Sequence, residues 1–362
     1  AQVGAVPPVG PTTINEAAHL QFVFAYRLLK KGEVVLAAEA FDEYLEKFSN
    51  DIKRGDACYF RAMLAHQSGQ YDRAAKLLEH VPATVFVPPF ATDLLRGQIW
   101  TDLHQYEAAL RSLEKISLES LGPMTKASVL YLRGRAYRGA KNLPAAAEAL
   151  AAAAAVDSTF RARATLDLAR TQIQMDQSDK AIDTIRRCLA LEQPKVAAEA
   201  ARIGGDLSYQ GKQYDQAADF YRIVITSHQI SPHFAAAIDG LLWSYYQSGM
   251  YEMMLQTFNM YKESIPDQHR FTAWYLGASA HQELGEHGPA LALLQSILFT
   301  AAGTLIQDKV LYKMAASQFE LGHLEAMEST VAQLRRVRPN SPLNDNALLL
   351  LAAADSVSDK PD

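Results

Sequence analysis

The sequence at residues 69–81 is GQYDRAAKLLEHV, and looser versions of this stretch recur along the chain at a nearly fixed interval. With Ala74 as the anchor, a small or apolar residue stands at each equivalent position, 35 to 37 residues from the next: Ala37, Ala109, Ala146, Ala181, Ala217, Met254, Ala290 and Met327. The chain therefore contains nine units. A period of this length is typical of proteins built from one repeated supersecondary unit.

Further positions recur relative to the anchor. Several units carry Tyr three residues before it: Tyr71, Tyr106, Tyr214 and Tyr251. Several carry Gly about two residues before that: Gly32, Gly69, Gly249, Gly285 and Gly322. A small residue stands upstream of this turn in eight units, with Leu242 as the exception: Ala25, Ala62, Gly97, Gly134, Ala169, Gly205, Ala278 and Ala315. Because small residues let two helices approach and Gly permits a tight turn, the pattern predicts one helical hairpin per unit.

This arrangement of small residue, Gly, aromatic residue and Ala resembles the tetratricopeptide repeat family over roughly residues 15–339. The resemblance implies an all-α fold, a right-handed superhelical α-solenoid of about nine helical hairpins plus a C-terminal capping helix. Four segments are predicted: an extended Pro-rich arm at 1–14, the solenoid at 15–339, the capping helix at 340–355 and a polar tail at 356–362. The arm is interpreted either as a flexible N-terminal segment or as a peptide that docks on a partner.

Composition narrows the function classes. The 362 residues are 49% hydrophobic and 21% charged, which suits a continuous core, and a net charge of −5 disfavours general nucleic-acid binding. No run of 18 apolar residues occurs, so no membrane-spanning segment is predicted. Cys58 and Cys188 lie about three repeats apart, too far for a disulfide, and are interpreted as small core residues.

The sequence begins Ala1-Gln2 without Met, as a mature protein does after a signal peptide is removed. An expression product trimmed at the same point would look identical. A periplasmic or secreted location is therefore expected, while a cytoplasmic one stays open.

No catalytic motif is present, so we predict a protein that is not an enzyme and that has no cofactor and no metal site. His281 and His287 flank one turn without a cysteine or carboxylate at ligand spacing. The acid pairs Asp51/Asp56 and Asp176/Asp179 stand at turns and helix starts, where N-capping is the expected role.

Surface recognition is the remaining possibility. The resemblance implies that the first helices of the hairpins line a concave groove that receives an extended peptide or a helix. Between residues 126 and 202 the chain has 13 Lys and Arg against 8 Asp and Glu. The groove candidates of units four to six form a possible basic stripe for an anionic partner segment, or an ordinary solvated face: Tyr131, Arg135, Arg138, Arg163, Arg170 and Arg202.

Aromatic residues concentrate further along, with 14 of the 33 falling between residues 206 and 275. The family register places four of them in the groove, where Trp and Tyr often anchor an interface: Tyr209, Trp243, Tyr246 and Tyr275. It places four in the core: Phe220, Tyr221, Phe258 and Tyr261. The family's clamp for a carboxyl terminus is not matched, because three other residues stand where Asn is expected: Tyr26, Met63 and Gln98.

The sequence therefore predicts a non-enzymatic scaffold that binds a partner peptide or protein in its groove, within a cell-envelope or secretion-related assembly. The alternative is a carbohydrate- or peptidoglycan-binding helical protein, or the helical part of a cell-wall enzyme, in which Trp243, Tyr246 and Trp274 stack on sugar rings. The oligomeric state is left open.

Overall fold

Helical hairpins follow one another through the described part of the chain. The computed structural model describes residues 14–79, 81–82, 84–301, 304 and 306–358; within these it contains nineteen α-helices, one short 3-10 helix and no β-strand. The predicted all-α repeat fold is confirmed. The predicted arm, residues 1–14, lies outside the described residues except for Ile14, the first residue of α1.

The chain divides into two compact units, Ala1–Thr184 and Ile185–Asp362. The first unit contains α1 to α9 and the start of α10. Their bounds are α1 (Ile14–Lys30), α2 (Val34–Lys47), α3 (Arg54–Gln67), α4 (Tyr71–Glu79), α5 (Pro89–Asp102), α6 (Tyr106–Leu113), α7 (Pro123–Gly139), α8 (Leu143–Ala155), α9 (Arg161–Gln174) and α10 (Ser178–Leu189).

The second unit contains four more hairpins and a final helix. Their bounds are α11 (Pro194–Gln210), α12 (Tyr214–Ser227), α13 (Phe234–Gln247), α14 (Tyr251–Tyr261), the 3-10 helix Lys262–Ser264, α15 (Asp267–Glu283), α16 (His287–Ala301), α17 (Gln307–Glu320), α18 (Leu324–Val337) and α19 (Leu343–Ser358). Helix α19 begins and ends three residues later than the predicted capping helix. It shares a hydrophobic core with α17 and α18 through Leu311, Val331 and Ala347.

The recurring small residues lie inside the hairpins. Anchor residues such as Ala74 and Ala146 are fully buried, as are Ala25 and Ala62 of the first helices. A Cβ atom added to Gly134 would lie 2.5 Å from Leu150 Cγ and 3.2 Å from the Leu150 backbone nitrogen, so α7 and α8 approach closely. Most of α8 is alanine, and these small side chains permit the approach.

The turn inside each hairpin has the same hydrogen bonding. After α3, the Gly69 N–H donates to His66 O (3.0 Å) and the Gln70 N–H donates to Ala65 O (2.8 Å). This pair of bonds is the Schellman arrangement, which satisfies carbonyls at a helix end and needs one residue with positive φ. Glycine provides that conformation at Gly32, Gly69, Gly249, Gly285 and Gly322, as predicted.

Four hairpins have a residue with a side chain at the same turn position: His104, Lys141, Asp176 and Lys212, with φ between 56° and 61°. Lys212 sets the helix register of the sixth unit, in which Gly211 stands one residue further from Tyr214 than Gly69 stands from Tyr71. The Lys212 N–H donates to Tyr209 O (2.9 Å) and the Gln213 N–H to Ser208 O (2.9 Å), so Lys212 rather than Gly211 corresponds to Gly69.

Glycine at these positions is expected to stabilise the fold. A left-handed backbone costs an L-residue about 1–2 kcal/mol, and glycine avoids this at an entropic cost of up to about 1 kcal/mol. Lys141→Gly should therefore raise the free energy of unfolding by about 0.5–1 kcal/mol in urea titrations. Gly69→Ala is the converse control and should lower it by about 1 kcal/mol, because a Cβ there has nothing within 4 Å and only backbone strain acts. A loss of stability in Lys141→Gly would contradict the prediction.

Candidate functional site

A chain of polar contacts links four successive first helices of the first unit: α3, α5, α7 and α9. We call it the polar ladder, and it consists of His66, Asp102, Arg135, Tyr131, Asp167, Arg138 and Arg170. Two of its links join residues 36 positions apart, His66 to Asp102 and Tyr131 to Asp167. The repeat therefore places equivalent positions of neighbouring hairpins within hydrogen-bonding distance.

Asp167 on α9 is the central acceptor of the polar ladder, and only 3% of it is exposed. Its carboxylate accepts from the Tyr131 hydroxyl (3.0 Å), from Arg138 Nη1 (2.9 Å) and from Arg170 Nη1 (3.0 Å). Burial alone would raise the pKa of this carboxyl, but the two guanidinium groups outweigh it and the pKa is lowered. Burial, together with the negative charge of Asp167, raises the pKa of Tyr131, so its hydroxyl remains a donor.

Asp102, the last residue of α5, joins the other end of the polar ladder. Its carboxylate contacts His66 Nε2 at 2.8 Å and Arg135 Nη2 at 3.3 Å. Burial would raise the pKa of Asp102, but these two neighbours lower it. The guanidinium of Arg135 also lies over the Tyr131 ring, 5.9 Å from its centroid, which connects the two ends.

The structure brings together four of the six residues of the predicted basic stripe: Tyr131, Arg135, Arg138 and Arg170. Arg163 lies exposed in the first turn of α9. Arg202 lies in the second unit, where it pairs with Asp206 on its own helix. Sequence analysis did not identify the carboxylates of Asp102 and Asp167, which form ion pairs with the arginines of the stripe. Asp167 stands one repeat, 36 residues, after Tyr131, and this spacing could have indicated their contact.

The predicted aromatic residues lie on first helices of the second unit and remain half-buried. Trp243 and Tyr246 meet edge to face with ring centroids 6.4 Å apart. Tyr275 stacks on Phe271 at 6.3 Å, and burial raises its pKa to about 12. The rings of Tyr209 and Tyr214 meet edge to face, with centroids 5.3 Å apart. Of the four predicted core aromatics, three are buried and Tyr261 is half-buried: Phe220, Tyr221 and Phe258 are exposed by 5% or less.

A second group of rings lies in the first unit, on the first helices α1 and α3 and on the loop before α5, where the sequence assigned no site. We call it the aromatic cluster, and it consists of Phe22, Tyr26, Tyr59, Phe60 and Phe86. The ring of Phe22 stacks on those of Tyr26 and Phe86, with centroids 6.4 Å and 6.2 Å apart. The ring of Phe60 contacts those of Tyr26 and Tyr59, with centroids 5.2 Å and 5.4 Å apart. Lys30 lies 5.4 Å from the Tyr26 centroid, and Lys53 lies 5.7 Å from that of Phe86.

A buried carboxylate holds the loop that carries Phe86. The side chain of Asp56, on α3, accepts from the backbone N–H groups of Val85 (3.0 Å), Phe86 (3.0 Å) and Val87 (2.9 Å). The expected N-capping role of Asp56 is therefore wrong, because it caps a loop about thirty residues away instead. The same bonds bury Val87 while 62% of Phe86 remains exposed. Asp51 does act locally, accepting from the Lys53 N–H at 2.9 Å.

Three further observations concern the cysteines, metal ligands and helix hydrophobicity of the described residues. Cys58 and Cys188 are both buried, as expected. Among the described residues, no three or more His, Cys, Asp and Glu side chains are grouped as they would be to hold a metal ion. None of the described helices combines the length and apolar character that crossing a membrane requires.

The repeated hairpins, their shared turn geometry and their buried small residues define an all-α fold of repeated helical hairpins, as predicted, and this fold is similar to that of tetratricopeptide repeat proteins. Neither a family model nor a curated protein matches the sequence. Among solved structures, the chain is similar to MamA from Desulfovibrio magneticus, at 22% identity over 50% of this chain and 97% of that one, with a TM-score of 0.43. It is also similar to the C-terminal part of a TPR repeat-containing protein from Cytophaga hutchinsonii (16% identity, 73% and 98% covered, TM-score 0.48) and to the apo form of RapI (14%, 94% and 98%, 0.47). Because these TM-scores are below 0.5, the assignment of the repeat depends on the chain's own turns and core.

Proposed function

We propose that this protein is an interaction scaffold, and that the polar ladder of its first unit binds an acidic segment of a partner protein. The observation that carries the proposal is the grouping of arginines on α7 and α9: Arg135, Arg138 and Arg170 contact the carboxylates of Asp102 and Asp167, and the exposed Arg163 lies in the first turn of α9. Guanidinium groups gathered in this way on neighbouring helices favour the binding of an anionic segment.

The chemistry of the side chains supports this binding. A guanidinium has five N–H donors in a planar fork, which suits two-point binding of a carboxylate, and Arg135 contacts Asp102 through Nη2. Asp167 fixes Arg138 and Arg170 before a partner arrives, so less side-chain entropy is lost on binding. Arg135, 33% exposed in its side chain, and the exposed Arg163 are the groups best placed to meet a carboxylate from outside.

Removing charge at these two exposed arginines tests the proposal. Arg135→Gln/Arg163→Gln should weaken binding of a labelled glutamate-rich peptide by about 10-fold or more, and binding by the wild type should weaken as salt is added. Both effects are measurable by fluorescence anisotropy. The matched control, Lys76→Gln/Arg111→Gln, removes two exposed positive charges from the second helices α4 and α6 and should leave affinity within about 2-fold of the wild type. Equal losses in both variants would show general charge attraction and contradict a site.

An envelope or secretion-related setting is a further part of the proposal. Fractionation of the native host with an antibody against the chain tests the location, and cross-linking followed by mass spectrometry identifies the partner. Recovery of the chain with cytoplasmic markers alone would contradict that setting without affecting the binding site.

A further inference from the structure

We propose that the partner segment has two parts, an apolar anchor that sits on the aromatic cluster and an acidic stretch about seven residues away that sits on the polar ladder. This inference rests on the proposed function and specifies the partner of the same surface. It differs from the sequence expectation, which placed aromatic anchors only in the second unit.

The aromatic cluster contains one exposed ring, that of Phe86, on a loop fixed by hydrogen bonds. Phe86 is 62% exposed, yet its loop is fixed by three backbone hydrogen bonds to Asp56, which is itself fully buried. The Thr84 hydroxyl donates to Val87 O at 2.5 Å and closes the same loop. A loop held in this way presents Phe86 to a partner at little further cost in conformational entropy.

The neighbours of Phe86 determine what it can bind. Its ring stacks on Phe22, which is only 5% exposed and also stacks on the half-buried Tyr26, so the aromatic surface left for a new apolar side chain is that of Phe86 and Tyr26. Lys53 contacts His19 and lies over the rings of Phe22 and Phe86, while Lys30 lies over Tyr26. Cations at both edges disfavour a basic partner and suit an apolar anchor with acidic flanks.

The aromatic cluster and the polar ladder meet on one helix. Tyr59 and His66 are both on α3, seven residues apart, and residues at this spacing lie on the same face of an α-helix. Tyr59 belongs to the aromatic cluster, and His66 contacts Asp102 of the polar ladder. One extended segment can therefore cross from the rings to the arginines without leaving the first helices.

Helix spacing gives the length of the connection. The arginines lie on α7 and α9, two and three hairpins beyond α3, and neighbouring packed helices are about 10 Å apart. The distance is therefore about 25 Å, which an extended peptide spans with about seven residues at ~3.3 Å each.

Synthetic peptides test the inference by fluorescence anisotropy. One peptide carries only a run of glutamates, a second adds a Leu-Phe-Leu anchor after a Gly/Ser spacer of about seven residues, and a third shortens that spacer to about two. The second peptide should bind the wild type at least about 10-fold more tightly than the other two. Phe86→Ala should remove that gain without changing the affinity for glutamates alone. Val85→Ala is the matched control, because Val85 is 52% exposed in the same loop, and it should retain the gain.

Each outcome decides between the two proposals. If the glutamate run binds but the anchor adds nothing, or if Phe86→Ala changes nothing, the two-part inference is overturned and the proposed function survives. If no glutamate peptide binds, the proposed function falls and the inference with it. If the anchor's gain appears only after residues 1–13 are deleted, the chain's own N-terminal segment is the occupant, which also overturns the inference.

Discussion

Asp167→Ala is expected to lower the free energy of unfolding by about 3 kcal/mol, one of the two largest effects we predict. The substitution removes the buried carboxylate that Arg138 and Arg170 both contact and leaves the Tyr131 hydroxyl without this acceptor. Both arginines are partly exposed, so water recovers some of the loss and the effect stays at the lower end for a buried ion pair. Urea titration followed by circular dichroism measures it.

Asp157→Ala is the matched control for this substitution. The Asp157 side chain is 99% exposed and lies 3.7 Å from Arg161, four residues along the chain. Exposed pairs of this kind contribute little, so the change should stay within about 0.5 kcal/mol of the wild type. A similarly small change in Asp167→Ala would mean that the polar ladder does not depend on this carboxylate.

The same site predicts a dependence on pH. Because the folded-state pKa of Asp167 is lowered, the stability that it contributes is fully present above the unfolded pKa of about 4 and is lost as pH falls through the folded pKa. Asp167→Asn lacks this contribution at every pH. The difference in unfolding free energy between the wild type and Asp167→Asn should therefore be constant near neutral pH and shrink below about pH 4.

Gly134→Ala is expected to cost about 2–3 kcal/mol by overpacking the hairpin of α7 and α8. The added Cβ would lie 2.5 Å from Leu150 Cγ, 2.7 Å from Cδ2 and 3.2 Å from the backbone nitrogen of the same residue. A leucine side chain can rotate away from a contact, but a backbone nitrogen moves only if α8 moves with it. The loss should therefore appear as a lower midpoint of thermal or urea unfolding.

Gly288→Ala provides the comparison for that variant. Gly288 lies in the first turn of α16, and a Cβ built there meets nothing within 4 Å. Since alanine favours helix over glycine by up to about 1 kcal/mol, this variant should be as stable as the wild type or more stable. If both glycine substitutions stabilised the protein equally, close helix approach at Gly134 would be refuted.

Much of the fold followed from local sequence. The positive φ values of Gly32, Gly69, Gly249, Gly285 and Gly322 were predictable, because the hairpin turn needs a left-handed residue and glycine adopts that conformation without strain. The buried anchors such as Ala74 were predictable because each one recurs once per repeat. Lys141 and Lys212 take the same turn conformation against their own preference, because the packed helices on either side impose it.

The candidate site was only partly predictable. The family register identified Tyr131, Arg135, Arg138 and Arg170 as members of one surface, and the structure groups them. It did not identify their carboxylate partners or the loop that Asp56 organises. The register aligns equivalent positions of neighbouring repeats, but only the packed structure selects which of their side chains pair, as Tyr131 does with Asp167 and Arg138 with Asp167.

The amino-acid sequence by itself determined the repeat, the helical hairpins and the places where they turn, because these depend on side-chain size and backbone freedom at positions that recur every 35 to 37 residues. Only the tertiary structure decided which charges neutralise each other and which aromatic ring remains exposed. Those outcomes depend on the stacking of successive hairpins, which places Tyr131 against Asp167 and holds Phe86 beside Phe22.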